Sequence, residues 1–380
     1  QPFFCYLSFN APHTPLQVPD KYYQMYKDID PSEGIDPKLL PTADMNEKSE
    51  EDARKVYAMV TNIDDNLNQL FQKLEALGIE ENTIVIFMTD NGPQQARFVG
   101  GMRGRKSSVH RGGIRVPFFM RYPSRFSGNR EMDQMAAHID LLPTLSQLCG
   151  APLPRDRKID GRSFVPALEG KALTERSFFS YWTRKFPEKY NNVALQRGNY
   201  KLVGKTDFDA KIEDFELYNL KADPFEKTNL IAQDKEKATS LKTAMDAFIS
   251  ELSTSPNLVE PPRIAVGTPH ENPVYLNRND AGGQRGIWNQ EEVFSFWKVD
   301  LEKGIYNLKF KFLKPLDGGG QMFLELGQSI FKKHNPQAKT DLLVWKEVPL
   351  SQGLYDFTPF YRKQSRSNNF PLWVEIERVE

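Results

Sequence analysis

The stretch Thr83-Ile-Val-Ile-Phe-Met-Thr-Asp90-Asn91-Gly92 decides the fold class. Its apolar run is too short for a helix but suits a strand buried on both faces, and it ends abruptly in a carboxylate, a carboxamide and a glycine. In an open α/β sheet, ligands gather beyond the carboxyl ends of the strands, so Asp90 and Asn91 are expected at such a site. Both offer side-chain oxygen, the donor that Ca²⁺ and Mg²⁺ prefer. Asn-Gly is also the signature of a plain turn after a strand, so this stretch alone does not decide for a metal.

Upstream, Ala53, Val56, Val60, Ile63, Leu67, Leu70, Leu74 and Leu77 recur at helical spacing, and Gly78 follows as a stop. A helix feeding a buried strand is half of a βαβ unit, which predicts an α/β fold with a mostly parallel sheet flanked by helices. Phe3 to Phe9 reads as another core strand, with Cys5 as a buried thiol inside it. Because the chain opens within that run, further sequence is expected upstream. The loop Asn10-Ala-Pro-His13-Thr-Pro then sets a histidine just past a strand end, stiffened by two prolines.

Downstream of Asp90 lies Gly100-Gly-Met-Arg-Gly-Arg-Lys-Ser-Ser-Val-His-Arg-Gly-Gly-Ile-Arg115, followed by an apolar strand from Val116 to Met120. Arg103, Arg105, Lys106, His110, Arg111 and Arg115 fall among glycines that would let backbone approach a ligand closely, a pattern suited to an anion. A solvated basic loop is the competing reading. A nucleotide-type phosphate loop is excluded, because Arg105 stands where that motif needs glycine before lysine. His138 to Leu148 reads as a helix. Short strands around Asn192, Tyr200 and Glu216, then a helix from Asp234 to Leu252, predict a small antiparallel sheet with one helix. After a proline-bearing linker near residue 255 the period changes to two, as in Leu308, Phe310 and Phe312 between Lys309 and Lys311. That predicts a β-sandwich of jelly-roll type, whose Trp288, Trp297, Trp345 and Trp373 belong mainly to its core. The expected divisions are residues 1–170, 171–258 and 261–380.

Composition narrows the partners. Lys+Arg and Asp+Glu number 50 each in 380 residues, so no global attraction to nucleic acid or anionic membrane is expected, and any anion preference is local. Two cysteines do not make a disulfide framework, and no segment is long and apolar enough for a membrane-spanning helix. Oligomeric state is open at this level.

Taken together, the Pro-His-Thr-Pro loop, the long helix, Thr-Asp-Asn-Gly, Arg-Gly-Arg-Lys-Ser-Ser with Gly-Gly-Ile-Arg-Val-Pro, and His-Ile-Asp-Leu-Leu-Pro-Thr-Leu resemble the type I sulfatases of the alkaline phosphatase superfamily. The resemblance covers about residues 1–255, with the region after 260 as an appended module. It implies sulfate-ester hydrolysis with bound Ca²⁺, Mg²⁺ being the variant, and a sulfated small molecule or glycan as substrate. Asp90 and Asn91 match one pair of the metal ligands, His13 the histidine at the scissile ester, and Lys106 the sulfate-binding lysine. His110 and Arg105, close in sequence, are further candidates for substrate contact. Arg111 replaces the acidic residue often found before Gly-Gly.

The chain departs from the family at the nucleophile. The Cys-or-Ser-x-Pro-x-Arg motif whose first residue becomes formylglycine does not occur in it; Cys149-Gly-Ala-Pro has one residue too many, and Arg121-Tyr-Pro-Ser-Arg125 begins with arginine. The first aspartate pair for calcium is likewise absent, so the fragment by itself is expected to be inactive. The resemblance also implies a periplasmic or extracellular setting. A phosphoester or phosphonate-ester hydrolase of the same superfamily and a non-catalytic binder of sulfated glycans are the alternatives.

Overall fold

The computed structural model describes residues 2–33, 46–95, 99–183, 188–206, 209–284, 290–336, 339–363 and 368–380. It divides into two units, Gln1–Ser253 and Thr254–Glu380, each with its own core. The architecture is mixed α/β.

The first unit begins with the short helix α1 (Asp20–Tyr23) packed on the long helix α2 (Glu47–Ala76), where Tyr22 donates to Asp65 at 2.9 Å. Asn46 starts α2 by accepting from the Ser49 amide at 2.9 Å, and Gly78, at φ +64°, ends it in the left-handed conformation that costs glycine least. Ala53, Val56, Ile63 and Leu74 of the apolar stripe are buried, whereas Val60 is 50% and Leu77 56% exposed. Strand β1 (Val85–Met88) follows, then the single helical turn α3 (Arg111–Ile114) and strand β2 (Phe118–Arg121).

Here two expectations need correction. β1 and β2 run antiparallel, with Val85 opposite Arg121 and Met88 opposite Phe118, so the described residues carry no parallel sheet in this unit. Phe3 to Phe9 forms no strand: Phe4 is 82% and Tyr6 83% exposed, and Cys5 is exposed rather than buried. An apolar run becomes a strand only where a second strand satisfies its backbone groups, and no described strand lies beside this one.

Helices α4 (Leu141–Cys149) and α5 (Val165–Leu168) lead to an antiparallel meander of β3 (Ser177–Tyr181), β4 (Asn191–Arg197), β5 (Tyr200–Lys205) and β6 (Glu216–Asn219). The two faces of this sheet have different tasks, because side chains alternate along a strand. One face, carrying Val193, Leu195, Leu202 and Leu217, packs on Leu241 and Met245 of helix α6 (Lys235–Ser253). Burying each of those side chains contributes about 1.5–3 kcal/mol. The opposite face, carrying Ala194, Val203 and Tyr218, receives Val109 from the basic loop.

In the second unit, the short helix α7 (Pro256–Val259) precedes strands β7 (Ile264–Val266), β8 (Val274–Asn277), β9 (Gly282–Gly283), β10 (Ser295–Leu301), β11 (Gly304–Leu316), β12 (Gly320–Leu326), β13 (Ser329–Asn335), β14 (Thr340–Leu350), β15 (Gly353–Arg362) and β16 (Trp373–Arg378). They form two sheets, ordered β14-β11-β16-β8 and β13-β12-β15-β10-β7, with β9 beside β10. All neighbours are antiparallel except β7 with β10, a parallel pair in a sandwich expected to be wholly antiparallel. Leu308, Phe310 and Phe312 point into the core, while Lys309 and Lys311 pair outside with Glu375 at 2.6 Å and Asp341 at 2.5 Å. Trp297 and Trp345 are internal and Trp373 is half-buried; Trp288 lies outside the described residues.

Candidate functional site

After β1 the chain turns at Asp90 and Asn91 and runs into the basic loop. The Gly92 amide donates to the Gly113 carbonyl at 2.9 Å, the Gly112 amide to Arg103 at 2.7 Å, and the Gly113 amide to His110 at 2.8 Å. A methyl group added at Gly92 would lie 1.8 Å from the Gly112 carbonyl oxygen, one at Gly112 2.2 Å from that of Gly104, and one at Gly113 2.1 Å from that of Ser108. These glycines therefore let backbone meet backbone, not backbone meet ligand, and the sequence reading is corrected on that point. The result is a tight knot that joins the strand end to the loop. The Lys106 amide adds a further hook, donating to the Pro93 carbonyl at 2.8 Å.

The knot is pinned to the meander by charge. Arg103 reaches the Glu216 carboxylate at 3.2 Å and the Tyr218 hydroxyl at 2.5 Å. His110, 1% exposed, lies 3.0 Å from Glu216 through Nε2 and 3.2 Å from the Ser108 hydroxyl through Nδ1. A carboxylate only accepts, so Nε2 carries the proton and Nδ1 accepts from Ser108. Burial pushes the His110 pKa down against the pull of Glu216, which keeps the imidazole neutral near pH 7. Burial alone would raise the Glu216 pKa. The His110 hydrogen bond together with Arg103 and Lys205 outweighs it and brings the pKa to about 2. Deeper in, Lys201 and Glu226 form a pair at 2.7 Å with side-chain exposures of 1% and 0%. Burial lowers the Lys201 pKa while Glu226 resists. Glu226 also accepts from the Arg111 amide at 2.7 Å, and the Arg111 guanidinium donates to the Pro224 carbonyl at 3.0 Å. That is the work of Arg111: it ties α3 to the segment after β6.

Of the candidate residues, Asp90 and Asn91 lie together just past β1, with the Asn91 amide donating to Asp90 at 2.9 Å and its carboxamide nitrogen also on that carboxylate. Lys106 is half-buried, and its ammonium makes no hydrogen bond or ion pair with any described residue. Arg105 beside it is exposed. His110 is turned inward onto Glu216, so its place is in the framework rather than against a substrate. His13 is exposed and, among the described residues, bonded only to its neighbours, its Nδ1 to the Thr14 carbonyl at 2.8 Å and its amide to Asn10. The structure thus gathers Asp90, Asn91 and Lys106 through one knot and leaves His13 with local contacts.

Two residues outside the candidate set support this strand end. His138 donates from Nε2 to the Thr89 carbonyl at 3.0 Å, immediately before Asp90. Asp140, 1% exposed, accepts from the Ala137 amide at 2.8 Å, from the Arg162 amide at 2.9 Å and from the Arg176 guanidinium. The His-Ile-Asp spacing carried that signal, but its partners lie far along the chain.

As a cation site, the Asp90–Asn91 pair has the right donors in kind, hard oxygens, but at most three of the roughly six to eight that Ca²⁺ takes. No group of three or more potential ligands clusters among the described residues. No helix among them is long and apolar enough to cross a membrane.

Residues 1–151 match the sulfatase family model, and residues 105–255 match the model for the C-terminal region of N-sulphoglucosamine sulphohydrolase. An endo-4-O-sulfatase of Bacteroides thetaiotaomicron is 30% identical over 171 residues, covering 44% of this chain and 32% of that protein. An N-acetylgalactosamine-6-O-sulfatase of the same organism is 28% identical over 213 residues, covering 50% of this chain and 40% of that protein. The chain spans less than half the length of either relative. The crystal structure of Ps i-CgsB superposes with a TM-score of 0.53 at 25% identity, covering 65% of this chain and 50% of that one.

Proposed function

We propose, for a chain whose residues 1–151 match the sulfatase family model and whose residues 105–255 match the C-terminal region of N-sulphoglucosamine sulphohydrolase, that it provides the anion-holding part of a sulfuric ester hydrolase. The observation that carries this reading is Lys106: a half-buried lysine that forms no ion pair with any described residue, on a loop whose backbone is hooked to the Asp90 turn. A fixed cation so placed offsets the charge that builds on sulfuryl oxygens as the ester bond breaks. Asp90 and Asn91 would hold a hard divalent cation, Ca²⁺ in first place, together with other oxygen donors. When bound, such a cation polarises sulfate oxygens as a Lewis acid. His13 would lend a proton to the departing alcohol, the general-acid role that an imidazole can fill. Its exposure, with hydrogen bonds only to neighbours among the described residues, suits it to meet a substrate.

The substrate class that fits is a sulfated sugar, in line with the name of the N-acetylgalactosamine-6-O-sulfatase relative. Action in the periplasm or outside the cell belongs to the same reading. Since the chain holds no Cys/Ser-x-Pro-x-Arg stretch, the ester is cleaved only where a nucleophile joins it.

The test is Lys106→Ala. In a protein that joins this chain to a nucleophile segment, sulfate release from an aryl sulfate should fall on the order of 10²-fold, about 3 kcal/mol, with the melting temperature retained. Unchanged release would make Lys106 a solvated surface cation. Loss of release and melting together would make it a framework residue. Sulfate bound by the joined protein without any release would point instead to a glycan-binding role.

A further inference from the structure

The residue after Lys106 is in an uncommon backbone state. Ser107 sits at φ +71°, in the left-handed region that glycine and asparagine enter far more readily than serine. For an L-residue with a Cβ this state is disfavoured by roughly five- to thirtyfold in population, so contacts elsewhere in the fold must hold it. The same dihedral sets how the chain leaves Lys106, and with it the place of the lysine relative to the Asp90 turn.

Those contacts come from β4. Asn191 pairs with Lys205 and Val193 with Gly204, so Asn192 is an extra residue in that pairing. A bulge of this kind re-aims a side chain away from its regular position on the sheet. The Asn192 carboxamide grips the basic loop on both sides of Ser108: its nitrogen donates to the Ser107 carbonyl at 2.8 Å, and its oxygen accepts from the Val109 amide at 3.2 Å. Among side chains of this length only a carboxamide offers both a donor and an acceptor. A carboxylate could accept from Val109 but would set a second acceptor against the Ser107 carbonyl. Asn192 itself lies at φ +57°, a state that asparagine tolerates better than most residues. On the other side of the lysine, the Lys106 amide donates to the Pro93 carbonyl at 2.8 Å. The backbone of Lys106 is therefore held between the turn after β1 and the bulge of β4.

We propose that Asn192 is a positioning residue for sulfate-ester cleavage: it holds Ser107 left-handed and so keeps Lys106 in register with the Asp90 turn. The inference rests on the assignment of Lys106 to sulfate, and the experiment separates the two. The main variant is Asn192→Gly, which suits the positive φ of the bulge and removes only the carboxamide. In the 380-residue chain, hydrogen exchange followed by mass spectrometry at single-residue resolution should quicken on the order of tenfold at both the Val109 and the Lys106 amides, with the melting temperature retained. Faster exchange at Val109 alone would mean that the grip stops short of the lysine and would overturn the proposal.

The second arm uses the protein joined to a nucleophile segment. There Asn192→Gly should lower sulfate release from an aryl sulfate on the order of tenfold, within the roughly 10²-fold expected when the lysine itself is removed. Asn192→Asp, which offers Ser107 no donor, should show a loss of the same order. Adding Ser107→Gly to Asn192→Gly should recover about threefold or more, because glycine enters the left-handed state unaided. In a Lys106→Ala background, Asn192→Gly should lower release by less than about twofold further, since a residue that acts through the lysine has nothing left to position. Additive losses would overturn the proposal, as would unchanged release in Asn192→Gly beside a full loss in Lys106→Ala. Unchanged release in Lys106→Ala would instead remove the assignment of Lys106 to sulfate, and this proposal with it.

Discussion

Glu226→Gln probes the deepest charge in the first unit. The substitution keeps the shape and leaves a carbonyl oxygen for the Arg111 amide, but it removes the negative charge 2.7 Å from the Lys201 ammonium. With side-chain exposures of 1% and 0%, neither partner can turn to water. Lys201 must then shed its proton or stay charged in an apolar setting, and breaking such a pair from one side costs about 3–5 kcal/mol. Against a typical domain stability of about 5–15 kcal/mol, that is a large fraction. Urea unfolding followed by circular dichroism measures it directly. Lys201→Met combined with Glu226→Gln should cost less than the sum of the single changes by at least about 1.5 kcal/mol, since the double variant leaves no orphaned charge. A single-variant cost below about 1 kcal/mol would mean that the pair is hydrated like a surface bridge, and the account of how α3 is held would fall.

Gly113→Ala places a methyl carbon 2.1 Å from the Ser108 carbonyl oxygen and 2.6 Å from that of Arg105, so the knot must open, with an expected loss of at least about 1–3 kcal/mol in melting experiments. Gly128→Ala, where nothing lies within 4 Å, is the control and should stay within about 0.5 kcal/mol. Acid should loosen the anchor of the basic loop in two stages. His110, with its folded pKa depressed, withholds a proton that the unfolded chain binds, so stability falls as pH drops below its ordinary value of 6.5. Glu216, lowered from 4.5 to about 2, contributes stability that is present above its unfolded value and is lost as pH falls from 4.5 toward 2. Melting temperature recorded against pH should show both stages in the parent and lose the lower one in Glu216→Gln; an unaltered acid limb would remove Glu216 from the anchor.

What the sequence determines by itself is periodic. The apolar spacing of Ala53, Val56, Ile63 and Leu74, with Gly78 behind, specifies α2, and the alternation of Leu308, Lys309, Phe310 and Lys311 specifies a sandwich strand with one face inward. The carboxylate and carboxamide at the end of β1 and the basic glycine-rich loop were legible for the same reason: each is a local pattern. Pairing across distance was not. Arg111 finds Glu226 and Arg103 finds Glu216 across 115 and 113 positions, and nothing local marks those acids as partners of that loop. The glycines illustrate the same limit, since a glycine that admits a ligand and one that admits another backbone read alike until the packing is known. The run from Phe3 to Phe9 has the composition of a core strand, yet it forms no ladder here, because a strand is completed by its neighbour's hydrogen bonds rather than by its own residues. Side-chain type and spacing thus set the elements and the chemistry on offer. Only the tertiary contacts decided which charges were spent on holding the loop and left Lys106 without a partner among the described residues.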